Sequence, residues 1–407
     1  MLQRGSNLPR VGDYNQTLVI DLIRRRPGIS RVELSELTGL TAQTVSNICS
    51  RLLVLGLIRE TEPSTAGAGR KRTAYAVVPG SRCAIGVHVD PARIVLAVVD
   101  LGGQVMHRQT FRTPVSDDAE PVIEAIVRRV RALLDEGVVS REQLSGLGAA
   151  TPGPISPRTG SVINPPNLPG WHAVRLRDEL EERLGLQVEI GKDTAAAASG
   201  ELWAGEVASA NFAFMYLGTG GGAGIVLGGE VQTGATGNLG NLGHLTGDPD
   251  GERCRCGGRG CIGYIAMPGQ LVAAAQDAGL LSGIDLHDAR SMEAGLSELA
   301  GIAASGNDQA AQILQTAAYA YARVAVNLVD ALDLDTVVFG GPHWRYLSTA
   351  FMRVLPDEFE RWHRTSEIRP ITLRTSTLGD DVGPIGAASL VLLNAMTARP
   401  SRLMLPT

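Results

Sequence analysis

No apolar run in the 407-residue chain approaches the roughly 18 residues that a membrane-spanning helix requires, and the first ten residues lack the apolar stretch of a secretory signal. These absences argue against a membrane partner and predict a soluble, cytoplasmic protein. Cysteine is scarce, with five residues, of which Cys254, Cys256 and Cys261 fall within eight positions. So few thiols exclude a disulfide scaffold, and their clustering points to metal. Cys49 and Cys83 stand alone and read as small core residues. An excess of positive charge is also lacking, because the formal net charge is -5. The charge is nevertheless uneven. Residues 1–82 hold twelve Lys and Arg against six Asp and Glu, so this head carries +6 and the remainder -11. A basic head on an acidic body is the electrostatic footprint of a nucleic-acid-binding module, although a solvated surface with spare arginines gives the same count. The length itself predicts two or three domains.

The head reads as helix, turn, helix, then a hairpin. Leu18, Val19, Leu22 and Ile23 recur at helical spacing until Pro27-Gly28 stops the run. Ser30-Arg31-Val32-Glu33 has the Ser-x-x-Glu form of a capping box, which predicts a short helix with Val32 and Leu37 inward, broken at Gly39. Thr41 is placed to cap a third helix over residues 42–55, with Val45, Ile48, Leu52 and Leu55 buried and Gln43, Thr44, Ser46, Asn47 and Arg51 outward. That outward set suits a recognition helix. Gln and Asn pair with adenine edges in the major groove, and Thr, Ser and Arg reach phosphates or guanine. Residues 57–60 and 73–78 read as two strands around a loop carrying Arg70, Lys71 and Arg72, a wing with a basic tip for the minor groove. A three-helix interaction module with a polar face is the competing reading.

Beyond residue 82, strand-like and helical runs alternate. Residues 85–89 and 94–100 suggest a hairpin, 105–110 a third strand, 121–135 a helix and 144–150 another strand, which is an α/β fold. Thr151-Pro152-Gly153-Pro154, Pro166-Asn167-Leu168-Pro169-Gly170-Trp171, Leu217-Gly218-Thr219-Gly220-Gly221-Gly222, the stretch from Gly243-His244 to Gly260-Cys261, Val337-Val338-Phe339-Gly340-Gly341 and Gly383-Pro384-Ile385-Gly386-Ala387-Ala388 follow one another along about three quarters of the chain. In order and spacing these blocks resemble the ROK family of repressors, open reading frames and sugar kinases. With the winged helix-turn-helix in front, the chain resembles that family's repressor branch, which controls sugar uptake and metabolism genes. The resemblance implies an actin- and hexokinase-like fold of two lobes. It predicts a DNA-binding domain over residues 1–82, a first lobe over 83–192 completed by a helix at 383–398, and a second lobe with a zinc site over 193–382.

His244, Cys254, Cys256 and Cys261 supply one imidazole and three thiolates, enough to close a tetrahedral structural zinc site with no position left for water. Soft thiolates favour zinc over magnesium or calcium. The resembled family's zinc motif matches ligand for ligand; the alternative is three incidental cysteines near a histidine.

The kinases of the family place a Gly-Gly-Thr phosphate loop after the first strand. Here the stretch is Asp90-Pro91-Ala92-Arg93, without glycines and with a proline that has no N–H, so the chain is not expected to be an enzyme. Asp193, in Lys192-Asp193-Thr194, matches the family's catalytic base and is expected to be vestigial; capping the alanine-rich helix at 195–202 is its competing role. The implied ligand residues are Gly153, Asn167, Lys192, Asp193, Gly221, Asn241 and His244. Asn241 and Gly263 stand where the family has sugar-gripping glutamates, and Lys192 replaces an asparagine. Charge of one sign is lost and the other gained, which predicts an anionic ligand such as a sugar phosphate. The expected whole is a homodimer on pseudo-palindromic operator DNA, with a tetramer left open, modulated by a carbohydrate. An active sugar kinase with a fused regulatory head and a ligand-independent repressor controlled by a partner protein are the alternatives.

Overall fold

In the computed structural model, residues 8–62, 73–165, 168–363, 368 and 370–396 are described. The head contains helix α1 (Leu8–Arg25), strand β1 (Ile29–Ser30), helices α2 (Arg31–Thr38) and α3 (Ala42–Val54), and strands β2 (Ile58–Thr61) and β3 (Ala74–Val77). The capping box is present: the Glu33 N–H donates to Ser30 Oγ at 3.3 Å and the Ser30 N–H donates to Glu33 Oε2 at 2.9 Å. Gly39 adopts φ 69°, a left-handed cap that ends α2. Thr41 Oγ1 accepts from the Thr44 N–H and starts α3. Strand β3 pairs antiparallel with both β1 and β2, which forms the wing sheet.

Three inward assignments are corrected. Val32 is 48% exposed and Leu37 49%, because the two-turn α2 presents one side chain, Leu34, to the core. Leu55 is 47% exposed because it lies past the last turn of α3, as the C-cap. The buried stripe of that helix is Val45, Cys49 and Leu52, at i, i+4 and i+7.

The body begins with the meander β4 (Cys83–Val89), β5 (Arg93–Asp100) and β6 (Val105–Arg112), then α4 (Glu120–Asp135) and β7 (Leu144–Thr151). The short hairpin β8 (Ile155–Ser156) and β9 (Ser161–Val162) precedes α5 (Leu176–Leu184), β10 (Val188–Lys192) and α6 (Asp193–Ala204). A second meander follows: β11 (Phe212–Leu217), β12 (Gly221–Leu227) and β13 (Glu230–Gln232). Helices α7 (Ile262–Ile265), α8 (Pro268–Asp277), α9 (Ala289–Ala304) and α10 (Asp308–Leu332) lead to β14 (Thr336–Gly340), α11 (Trp344–Phe351), α12 (Leu355–Trp362), β15 (Thr372–Thr375) and α13 (Val382–Met396).

The two five-stranded sheets share one layout. Their orders are β10-β7-β4-β5-β6 and β13-β12-β11-β14-β15, each an antiparallel meander whose first strand also starts a parallel run of three. Strand β4 is buried on both faces. Ile85, Val87 and Val89 pack toward α4 and α5, while Ala84 joins a cluster with Val99, Leu392 and the head residues Val19, Ile23 and Tyr75. Head and first lobe therefore share a continuous core. Helix α13 lies on this sheet so closely that a Cβ on Gly148 would meet the Ala387 carbonyl oxygen at 1.8 Å. It approaches α6 equally closely, since a Cβ on Gly386 would stand 2.1 Å from the Ala196 carbonyl oxygen. Among the described residues, no helix is long and apolar enough to cross a membrane.

Candidate functional site

The junction of β10 and α6 carries Lys192, Asp193 and Thr194 into a cavity of ≈ 200 Å³. Gly153, Gly221 and Asn241 line the same cavity, so five of the ligand residues expected from sequence converge. Asn167 lies outside the described residues. His244 is not among the lining residues and turns instead toward the cysteines. The volume lies below the roughly 300–1,000 Å³ of drug-sized pockets and suits a small ligand.

Burial pushes the Asp193 carboxyl up to about 6, with the Lys192 ammonium opposing the rise. Burial likewise lowers Lys192, and Asp193 opposes that shift. The Thr194 N–H donates to Asp193 Oδ1 at 2.7 Å, so this carboxylate does satisfy one N–H of the α6 first turn. Thr194 Oγ1 is buried and finds no hydrogen-bond partner among the described residues. Asn238, Tyr216 and Thr219 also line the cavity and were missed in the sequence. Asn238 clamps the backbone of β8, accepting from the Ile155 N–H at 2.7 Å and donating to its carbonyl at 2.8 Å. Its partner is 83 residues away, so no local spacing reveals it.

The turn between β4 and β5 is closed on itself. Asp90 Oδ1 accepts from the Ala92 N–H at 2.9 Å and Oδ2 from Thr219 Oγ1 at 3.0 Å. Arg93 points away from the turn and forms two N–H contacts with Glu293 on α9, at 3.2 and 3.0 Å. The one N–H that Ala92 offers is thus already taken, and Pro91 has none.

His244, Cys254, Cys256 and Cys261 come together with all four ligand atoms within 4.8 Å of one another. Cys254 Sγ lies 3.7 Å from His244 Nδ1, and Cys256 Sγ lies 3.6 Å from Cys261 Sγ. A metal–sulfur bond of about 2.3 Å in a tetrahedron sets ligand separations of about 3.8 Å, so the cluster has the right size and donor set for a closed tetrahedral centre.

In the head, Gln43, Asn47 and Arg51 are exposed on α3, whereas Thr44 and Ser46 are half-buried. Gln43 Nε2 donates to Asn47 Oδ1 at 2.9 Å along this face. Arg70, Lys71 and Arg72 fall outside the described residues. Arg31, counted in the sequence only as charge, adjoins α3. It donates to the Tyr75 hydroxyl and brings Nη1 to 3.5 Å from Ser46 Oγ.

The model of the ROK family matches residues 84–393, well over half of the sequence. The chain belongs to the ROK family. A MarR family model matches residues 7–69, the helix-turn-helix segment ahead of the ROK region. A putative xylose repressor from Caldicellulosiruptor sp. (strain Rt8B.4) is 28% identical over 65% of this chain, and the match spans 66% of that relative's length. A glucokinase from Halalkalibacterium halodurans is 29% identical over 75% of this chain and 94% of its own. The crystal structure of a ROK family transcriptional regulator, a homolog of the E. coli MLC protein, superposes with a TM-score of 0.77 at 22% identity. It covers 95% of this chain and 98% of its own, which establishes the shared fold of a winged helix-turn-helix head on a two-lobed ROK body.

Gly263 stands where backbone comes close to backbone. A Cβ at this position would lie 2.6 Å from the Gly243 carbonyl oxygen, which already accepts from the Gly263 N–H at 2.9 Å. Asn241, by contrast, is exposed and lines the cavity.

Proposed function

We propose that this ROK protein is a sequence-specific DNA-binding transcription repressor of carbohydrate uptake or metabolism genes, modulated by a sugar or sugar phosphate in the cleft. The observation that carries this reading is the union, in one chain with a continuous core, of an exposed Gln43–Asn47–Arg51 helix face and a small polar cleft. The relatives named as repressor and transcriptional regulator support it. Residues 1–82 are assigned to DNA binding, residues 83–192 with 383–398 to one lobe, and residues 193–382 to the other. Gln43, Asn47 and Arg51 are assigned to base edges, Thr44 and Ser46 to the DNA backbone, and the basic Arg70, Lys71 and Arg72 to the minor groove. Two heads in a homodimer predict a pseudo-palindromic operator. Zinc, held structurally by His244, Cys254, Cys256 and Cys261, fits the donor set, and a reducing cytoplasm keeps the thiolates available.

The cleft reading is regulatory and not catalytic, because Pro91 has no N–H and the polar groups of the Asp90-Pro91-Ala92-Arg93 turn are engaged by Ala92, Thr219 and Glu293. Lys192, at the N-terminus of α6 and lining the same cavity as Asn241, favours an anionic ligand. Calorimetric titration with glucose 6-phosphate and glucose tests this point, and equal or tighter binding of the neutral sugar sinks it. The glucokinase relative and the raised Asp193 carboxyl favour a second reading, an active sugar kinase. Coupled detection of ADP release over a sugar panel decides between them.

Sequencing of genomic fragments captured at near-physiological salt tests the main proposal. A few sharp pseudo-palindromic sites beside carbohydrate genes are expected, and diffuse recovery would reduce the head to an interaction module.

A further inference from the structure

Helix α6 runs from the cleft to the head. Asp193 and Thr194 in its first turn line the cavity, and Trp203 sits in its last turn, about 15 Å further along at 1.5 Å per residue. There Arg24 of α1 reaches in from the head. Its guanidinium carbon stands 3.9 Å from the Trp203 ring centroid, Nη1 donates to the Trp203 carbonyl at 2.8 Å, and Nη2 donates to Asp21 Oδ1 at 3.1 Å. The Arg24 side chain is only 8% exposed. The Trp203 carbonyl is one of the last four of α6, which lack partners inside the helix. A cation there satisfies an orphan acceptor and complements the negative helix end. One side chain thus stacks on the indole, caps the helix and ties both to α1.

Two features make this contact more than a staple. First, α6 packs backbone to backbone on α13 over two turns, where a Cβ on Gly386 would stand 2.1 Å from the Ala196 carbonyl oxygen and one on Gly200 3.2 Å from the Gly386 Cα, so the two helices shift together and a movement of the first turn reaches Trp203 without being lost in a bend. Second, buried polar groups lack partners at both ends. Thr194 Oγ1 is unsatisfied at the cleft, and Arg24 Nε and Trp203 Nε1 are unsatisfied at the joint, among the described residues. A buried donor or acceptor without a partner is costly, so a small displacement that satisfies either end competes with the arrangement seen.

We propose that Arg24 is the positioning residue that couples the cleft to the head. Engagement of Thr194 in the cleft moves α6 as a unit, Trp203 shifts beneath Arg24, and α1 turns together with α3, whose Val45 and Leu52 share its core. The inference rests on the proposed DNA-binding role for its biological meaning, but its test needs neither operator nor ligand.

The test is hydrogen exchange on the full chain in a double-mutant cycle. Arg93→Ala breaks the Arg93–Glu293 contact that ties the turn carrying Asp90, a residue lining the cavity, to α9, and it leaves the joint untouched. In the otherwise unaltered chain it is expected to change exchange in α9 and, by roughly threefold, in α1, a coupling at the low end of those between interacting sites. With Arg24→Leu, the α9 response persists and the α1 response disappears. Arg24→Lys, which keeps a cation and a donor to the Trp203 carbonyl, restores the α1 response and keeps the experiment decisive if the leucine variant releases the head altogether. An α1 response to Arg93→Ala that is the same with and without the Arg24 side chain overturns the proposal, as does a lysine variant no better than the leucine one. Either result leaves operator capture unaffected, so failure of the joint and failure of the DNA-binding reading are separable.

Discussion

Arg93 and Glu293, 200 residues apart in sequence, face each other across the lobes through two N–H···O contacts at 3.2 and 3.0 Å. Arg345 and Tyr346 converge on the same carboxylate at 3.1 and 3.2 Å. The strand turn that would cradle phosphate in a ROK kinase is here tied down by a side chain.

Glu293→Ala should therefore loosen the lobes and lower stability by roughly 1–3 kcal/mol, the range for a buried charged acceptor removed from its donors. Burial pushes the Glu293 carboxyl up, but Arg93, His343 and Arg345 together hold it below the ordinary range. A depressed carboxyl contributes stability that is present above its unfolded pKa and lost as pH falls through the folded value. The wild-type advantage over the variant should shrink on the acid side of the carboxylate range. Thermal denaturation of both proteins from neutral to acid pH checks this, and a constant gap contradicts it.

Asp193 carries the opposite sign. Its carboxyl is pushed up to about 6 from 3.8, mainly by burial, so its contribution is fully favourable only below the unfolded value and is lost as pH rises toward 6. Asp193→Asn should raise stability at pH 7 by roughly 2 kcal/mol and leave it little changed at pH 4. Melting curves at the two pH values separate this from a simple packing effect, which would appear at both.

Elements with local signals were legible, and elements with distant partners were not. Ser30 and Glu33, Gly39 and Thr41 announced the helix boundaries of the head because caps act over three or four residues. The clustering of His244 with Cys254, Cys256 and Cys261 was legible because the three cysteines are close in sequence and thiols are scarce in this chain. The lobes' shared sheet order, the Asn238 clamp and the Arg24–Trp203 joint, which spans 179 residues, are tertiary pairings that no periodicity encodes. Val32 and Leu37 misled because apolar identity alone does not say which face of a two-turn helix meets the core.

Arg31 adjoins Ser46 on the recognition face and is held there by Tyr75, with Glu60 at 4.0 Å. A positioned guanidinium beside a recognition helix suits a phosphate. Arg31→Ala should weaken binding to all captured sequences alike and reduce the salt slope by about one, whereas Asn47→Ala should cost about 1–3 kcal/mol and relax one base position. Affinity measured against salt for specific and scrambled duplexes distinguishes the two; a sequence-selective loss in the Arg31 variant would falsify the phosphate role.

Cys256 is exposed, and Cys261 is buried at the start of α7. Replacing Cys256 with Ser should cost metal content and speed hydrogen exchange over residues 244–263 while leaving α3 unchanged, because the loop packs on α10, where Gly247 meets Ala320, and α3 belongs to the core of the head. Elemental analysis alongside exchange reads both effects, and a head that loosens equally contradicts a local role.

Gly263→Glu offers the sharpest contrast between charge and space. Restoring the family's carboxylate should, on charge alone, recover grip on a neutral sugar. The added Cβ, however, would meet the Gly243 carbonyl oxygen at 2.6 Å, and that backbone contact joins the segment before His244 to the segment after Cys261. Glycine here lets the two halves of the ligand set approach. The variant should therefore lose metal and melt at a lower temperature without gaining affinity for glucose. Asn241→Glu, at an exposed position that lines the cavity, should fold normally and report the effect of charge by itself. Metal content and calorimetric titration with glucose on both variants decide the matter: a Gly263→Glu protein that keeps its metal and binds glucose more tightly than wild type means that the loop yields and that lost charge, not lost space, sets this cleft apart.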